Sequence, residues 1–226
     1  MSNGEKQYEA HFLEFEEKGP IHLGPMYSAI WRSDPKLIGI KLSRYKVVSK
    51  LLIGCKKVLE VGCGEAWASK LICREVEEFH ASDFDSKWET FVLRALSEEN
   101  NFVGFQVYDP LTGPLLEKFD AIVAMDVLEH VTPEKNDIFL RNLASSMRQN
   151  GLVILGMPTL ESQKYASEGS RIGHVNCQNG DTLRKQMLIY FERVLIFSFN
   201  DETLHTGFLP MSHYLLAVGF APRILV

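Results

Sequence analysis

The chain has 226 residues, 46% of them hydrophobic, which suits one α/β domain of ordinary size and would cramp two. Its 24 basic and 29 acidic side chains give a net charge of −5 with no basic stripe, which argues against nucleic acid as a partner. No run approaches ~18 continuous apolar residues, the first residues lack the apolar core of a secretion signal, and the four cysteines form no C-x-x-C pair. A membrane span is therefore excluded, neither a zinc site nor a disulfide framework is suggested, and a reduced, cytoplasmic setting is expected.

Up to about Pro35 the pairs Gly19-Pro20, Gly24-Pro25 and Asp34-Pro35 break the chain, so an irregular lead-in with one short helix is expected. From Pro35, Leu37, Ile40, Val47, Val48, Leu51 and Leu52 recur near helical spacing, with basic residues between them. An alternation follows. Strands are expected at 57–61, 78–82, 103–108, 121–125 and 152–156, and helices at 66–76, 87–98 and 134–149, the last stopped by Asn150-Gly151. Short apolar runs bounded by turn residues fit a parallel sheet buried on both faces, with ligands at the carboxyl ends of its strands. The last third breaks the pattern. A helix capped near Asp181 leads into two apolar runs, 192–201 and 213–223, with no crossover helix between them, so an antiparallel pair is expected. The whole is an α/β fold, a doubly wound, mostly parallel seven-stranded sheet with an antiparallel C-terminal pair. A loop from 158 to about 179 is long enough to be a binding lid.

The stretch "VLEVGCGEAW" runs a strand into a glycine turn, and three nucleotide readings compete for it. A P-loop needs four residues between its glycines and then Lys-Ser/Thr, which is lacking. A dinucleotide fingerprint would put its third glycine on Trp67, where helix and strand must pack closely. S-adenosylmethionine, whose adenosine carries no phosphate, fits better. Glu60 would repel a pyrophosphate but favour the methionine ammonium, directly or through water. Gly62 and Gly64 let the backbone approach the ligand. Asp83, after the second strand, stands where an acid accepts both ribose hydroxyls, and Asp109, ending the third, can accept the adenine amino group.

In this order and spacing, "VLEVGCGEA", "SDFD", "VYDP" and "FDAIVAMDVLEHV" resemble the motifs of class I S-adenosylmethionine-dependent methyltransferases over residues 57–158. Ala66 stands where that family usually has its third glycine. The resemblance implies a Rossmann-like methyltransferase domain at 57–226 behind an N-terminal lead-in and helical lid at 1–56. It also implies an antiparallel strand inserted beside the fifth, S-adenosylmethionine as cofactor and S-adenosylhomocysteine as product. By the same resemblance Phe84 packs against adenine while Tyr108 and Asp109 border its edge.

Methyl transfer from a sulfonium is an in-line displacement, so alignment and one base suffice. His130, after the fourth strand, is the candidate base; Asp126 would meet the ammonium or the acceptor, and Glu129 reads as structural. His174 in the long loop and His205 near the C-terminus are candidate acceptor-binding residues, and their spacing names no metal site. Cys63 reads as packing under the turn, and Tyr27 and Trp31 as lid or core aromatics. The function expected is methylation of a small molecule, at a hydroxyl of a sugar or related metabolite. The alternatives are a non-catalytic S-adenosylmethionine-binding protein and a nucleotide-dependent oxidoreductase.

Overall fold

A computed structural model of the protein describes residues 6–223, so the ends of the expected lead-in and domain, 1–5 and 224–226, lie outside the described residues. Among the described residues eight strands form one sheet: β1 (Lys57–Val61), β2 (Glu78–Asp83), β3 (Phe102–Val107), β4 (Phe119–Met125), β5 (Met147–Pro158), β6 (Phe191–Asn200), β7 (Thr203–His205) and β8 (Tyr214–Pro222). Their spatial order is β3-β2-β1-β4-β5-β8-β6-β7. The first five run parallel, and β8 enters antiparallel between β5 and β6. The strand order reverses between β1 and β4, so the connections leaving those two strands part to opposite faces of the sheet and open a crevice at their carboxyl ends.

The helices are α1 (Glu9–Lys18), α2 (Pro25–Ser33), α3 (Lys36–Leu51), α4 (Lys70–Cys73), α5 (Glu89–Leu96), α6 (Asn136–Ser145), α7 (Glu168–Gly173) and α8 (Gly180–Tyr190), and five of them, α3, α4, α5, α6 and α8, close the two faces of the sheet. Leu59, Ile122, Val153 and Leu215 face one core layer, closed by Phe139, Leu143 and Met187 of α6 and α8. Val58, Val123, Ile154 and Leu216 face the other, closed by Val48 of α3, Ile72 of α4 and Val92 of α5. Neighbouring residues on each strand thus alternate between two apolar layers, which is why the strands read as continuous apolar runs.

Four expectations are corrected. The lead-in holds two helices, because Pro25 starts α2 at a position where its missing N–H is harmless. The helix expected at 66–76 shrinks to one turn, α4, since Gly62, Gly64 and Ala66 all take positive φ (+72°, +53° and +52°) and extend the turn. The helix expected to reach 149 ends at Ser145. Asn150-Gly151 lies inside β5, where the register with β4 slips between Phe119 and Ala121 and the extra residues bulge. An eighth strand, β7, folds back on β6 through Asp201-Glu202, with Asp201 at φ +51°.

Candidate active site

The turn after β1 and the segment after β4 meet at the crevice. A Cβ on Gly62 would lie 2.4 Å from Val127 Cγ2, so the two connections touch through a position only glycine can occupy. Beyond β2, Asp83 is almost fully buried; its carboxylate accepts from Gly64 N at 3.1 Å and from Asp85 N at 3.0 Å, which stitches the glycine turn to the neighbouring strand end. A cavity of about 240 Å³ opens beside them, lined by Gly62, Phe84, Tyr108, Asp109, Val127 and His130 among others. Phe84 is largely exposed, and Asp109 is partly committed to its own turn, accepting from Leu111 N at 2.9 Å. Tyr108 is buried and its hydroxyl donates to Gly113 O at 3.1 Å. Gly62, Phe84, Tyr108 and Asp109 therefore surround one space, and Asp83 sits buried next to Phe84, bonded to the glycine turn. Cys63 packs under the turn as expected, and burial pushes its thiol far above the usual range.

Glu60 is fully buried. Tyr45 of α3 donates to its Oε1 at 2.8 Å, while Oε2 has no partner. Burial pushes its carboxyl up to about 7, with Asp83 adding to the rise and Ser69 and Tyr45 opposing it. An unsatisfied buried carboxylate oxygen at the strand end fits a cationic ligand group.

Helix α3 supplies what the sequence reading missed. Lys41, Tyr45, Val48 and Leu52 recur at helical spacing, with Arg44 one turn after Lys41. Lys41 Nζ sits 2.9 Å from Asp126 Oδ2, and the Arg44 guanidinium lies 3.7 Å over the ring of Tyr214 on β8. Burial raises the Asp126 carboxyl, but Lys41 and Arg44 outweigh it and hold the group down at about 2. Asp126 also takes φ +58°, so its backbone turns sharply off β4. The signal was present in the sequence: two cations interrupt the buried stripe of an amphipathic helix. Glu65 was missed too. It caps α2 by accepting from Met26 N at 2.8 Å and Tyr27 N at 2.7 Å, tying the lead-in to the glycine turn. Tyr27 is buried against Trp67, and Trp31 is exposed.

After Asp126 the chain makes a 3-10 turn, Leu128–His130. His130 Nδ1 lies 2.9 Å from Gly173 O, and His174 Nδ1 lies 3.0 Å from Gln163 Oε1. Their rings meet edge-on with centroids 5.2 Å apart. The long loop is fastened there by Asn176, whose N–H donates to Glu129 O at 3.0 Å and whose Nδ2 donates to Leu128 O and Asn136 Oδ1 at 3.2 and 2.6 Å. Glu129 is buried and neither carboxylate oxygen has a partner. Burial, then the nearby Asp126 charge, raises its carboxyl well above the usual range. Burial and the neighbouring His130 lower His174. The structure thus brings His174 against His130, which itself lines the cavity. His205 lies apart on the edge strand β7, its Nδ1 accepting from Gly207 N at 3.1 Å.

The chain matches the family model described as a methyltransferase domain over residues 33–188. No curated protein sequence matches it. Among solved structures, the N-methyltransferase NodS from Bradyrhizobium japonicum WM9 in complex with S-adenosyl-L-homocysteine superposes with a TM-score of 0.65 at 16% identity, covering 88% of this chain and 100% of that one. The methyltransferase domain of bacterial CtHen1-C gives 0.64 at 17% identity, covering 81% and 100%. The DhpI-SAM-HEP complex gives 0.62 at 15% identity, covering 99% and 100%. At these identities the likeness is one of fold. Among the described residues no helix is long and apolar enough to cross a membrane.

Proposed function

Since this chain belongs to the methyltransferase-domain family and is an S-adenosylmethionine-dependent methyltransferase, we propose that its acceptor is a hydroxyl of a small molecule, a sugar or related metabolite. One observation carries this reading. His130, a residue able to activate a hydroxyl, lines the same cavity as Gly62 and Asp109, and its ring is fixed by the loop that also carries His174. The Gly173 carbonyl can only accept, so Nδ1 of neutral His130 carries the hydrogen and the Nε2 lone pair is free.

S-adenosylmethionine, when bound, supplies a methyl group already activated on its sulfonium. The residues of the chain bind, orient and shield. Asp83 would accept the ribose hydroxyls, and Phe84 would cover the adenine, with Tyr108 and Asp109 at its edge. The partnerless Oε2 of Glu60 is the match for the ammonium, and Asp126, fixed by Lys41, closes that end. An acceptor hydroxyl entering from the His130 side would pass its proton to Nε2 of neutral His130, and the cofactor would supply the methyl group to the oxygen so activated.

The test uses trideuteromethyl-labelled cofactor with a panel of sugars, phenols and amines, and mass spectrometry to place the label. Label on oxygen supports the reading; label on nitrogen or carbon alone removes it. His130→Ala should lower turnover by about 10²–10⁴-fold with S-adenosylhomocysteine affinity little changed.

A further inference from the structure

The carboxylate of Glu129 stands out because it is buried, charged by nature and unpartnered. Its relative exposure is 1%, and neither oxygen meets a donor. The two cations nearest this end of the sheet are already engaged, Lys41 with Asp126 and Arg44 over Tyr214. A buried carboxylate without a donor is expensive to keep ionised, and a cation bound beside it would offset that cost.

Two imidazoles stand beside it. One carboxylate oxygen of Glu129 and one nitrogen each of His130 and His174 all lie within 4.8 Å of one another. Ligand atoms on a common first-row cation at about 2.0–2.2 Å would stand roughly 3–4 Å apart, so small side-chain rotations close the set. Each imidazole is already oriented in the way metal-binding histidines are: its Nδ1 faces a protein oxygen, Gly173 O or Gln163 Oε1, which fixes the tautomer and leaves Nε2 free. The loop carrying His174 is pinned by Asn176 to the backbone of Leu128 and Glu129, so the three donors are held by one hydrogen-bonded unit.

We infer that Glu129, His130 and His174 form a binding site for one divalent transition-metal cation. Two imidazoles and one carboxylate select a cation such as Zn²⁺, Co²⁺ or Mn²⁺ over the hard, oxygen-seeking Mg²⁺ and Ca²⁺. Three protein donors leave positions open, and His130 is exposed on the side of the cavity mouth. A hydroxyl oxygen entering there gives up its proton to solvent water under the pull of the cation. The same oxygen then holds the electron pair that forms the new bond to carbon. That catalytic part rests on the reading of the acceptor as a hydroxyl, whereas the site itself rests on its three donors, and it assigns His130 the part of ligand in place of proton acceptor.

The experiment is a titration of chelator-treated, full-length protein with Co²⁺, read by its visible absorption, and with Zn²⁺, read by calorimetry. One equivalent should bind, and Glu129→Gln or His174→Ala should each weaken it by at least about 100-fold, since even indirect partners of such ligands are worth about 10–100-fold. His213→Ala, an exposed histidine elsewhere, should bind as the wild type does. The thermal shift given by S-adenosylhomocysteine, retained in each variant, shows that the fold is intact. Absence of stoichiometric binding, or binding untouched by Glu129→Gln and His174→Ala, overturns the site. If no cation binds yet methyl still reaches oxygen, the site falls and His130 is the direct proton acceptor. If the cation binds through these residues while methyl goes only to nitrogen or carbon, the site stands and the hydroxyl reading falls.

Discussion

Lys41 Nζ lies 2.9 Å from Asp126 Oδ2, across 85 positions of sequence, and so pins the helix in front of β1 to the end of β4. Both side chains are about one-third exposed, at 33% and 29%, so the pair is neither a solvated surface bridge nor a dry one. Replacing Lys41 by Met leaves Asp126 without its main counter-charge at a residue already held at positive φ. A loss of about 1–3 kcal/mol is expected, between the values for exposed and buried pairs. Urea unfolding of Lys41→Met measures it. Adding Asp126→Asn should recover part of the loss, and a double variant no better than the single one would show that the two charges are not coupled.

Glu60 gives a pH dependence with a defined sign. Its folded carboxyl titrates near 7, above its ordinary value of 4.5, so between those values the folded state holds a proton that the unfolded chain has released. Stability should therefore be greatest below about 4.5 as far as this group is concerned, and fall as pH rises towards 7. The groups facing it are Tyr45, Asp83, Tyr27 and Cys63, and burial raises the tyrosines and the thiol further above this window. The full span amounts to roughly 3 kcal/mol. Melting curves from pH 4.5 to 7.5 should show a downward slope that flattens in Glu60→Gln. S-adenosylhomocysteine, whose ammonium favours the ionised carboxylate, should bind more tightly as pH rises through the same range. Parallel slopes in both proteins would place the dependence on another group.

Asp83 accepts two backbone N–H groups, at 3.1 and 3.0 Å. Asp83→Ala should weaken S-adenosylhomocysteine binding by about 1–3 kcal/mol through the lost ribose acceptor. It should also loosen the glycine turn. Asp83→Asn separates the two effects, since it keeps one acceptor oxygen for the turn. Calorimetry giving wild-type affinity in Asp83→Ala would remove this residue from the cofactor site.

The parts legible in the sequence were those governed by local rules. Gly62 and Gly64 announce a turn that no side chain can enter, and the apolar runs of β1, β4 and β5 announce a sheet covered on both faces. The reach of that logic ended where contact was made by distant segments. Nothing near Lys41 in sequence says that it faces Asp126, although a cation on an apolar helical stripe asks for a partner. Glu129 read as structural; its nearness to His174, which arrives on a separate loop, was not visible in the sequence. His205 read as a pocket residue because it sits in a polar interruption, but that interruption is the hairpin between β6 and β7. Ala66 read as a mild departure in a helix and proved to be the third left-handed residue of a long turn, which is why α4 is so short.

The joining of that loop to the rest of the site rests heavily on Asn176. It is almost fully buried, its amide donates to Leu128 O and Asn136 Oδ1, and its backbone N–H donates to Glu129 O. Asn176→Ala keeps the backbone bond but strips the two side-chain donations, leaving a buried carbonyl and a buried amide oxygen short of a donor. A stability loss of about 1–3 kcal/mol follows from unsatisfied groups of this kind. The larger effect should be positional, because His174 is only two residues away and reaches His130 through the same loop. Turnover should fall by roughly tenfold or more, as misplacement of an acceptor-side group commonly costs that much, with S-adenosylhomocysteine affinity unchanged because no cofactor-side residue moves. Hydrogen exchange should show faster exchange in residues 159–178 and little change in β1 or β4. Asn176→Asp keeps the shape while losing the donors and should behave like the alanine variant. If Asn176→Ala instead lowers cofactor affinity along with turnover, the loop reaches the cofactor as well as the acceptor, and its role as a one-sided clamp is wrong.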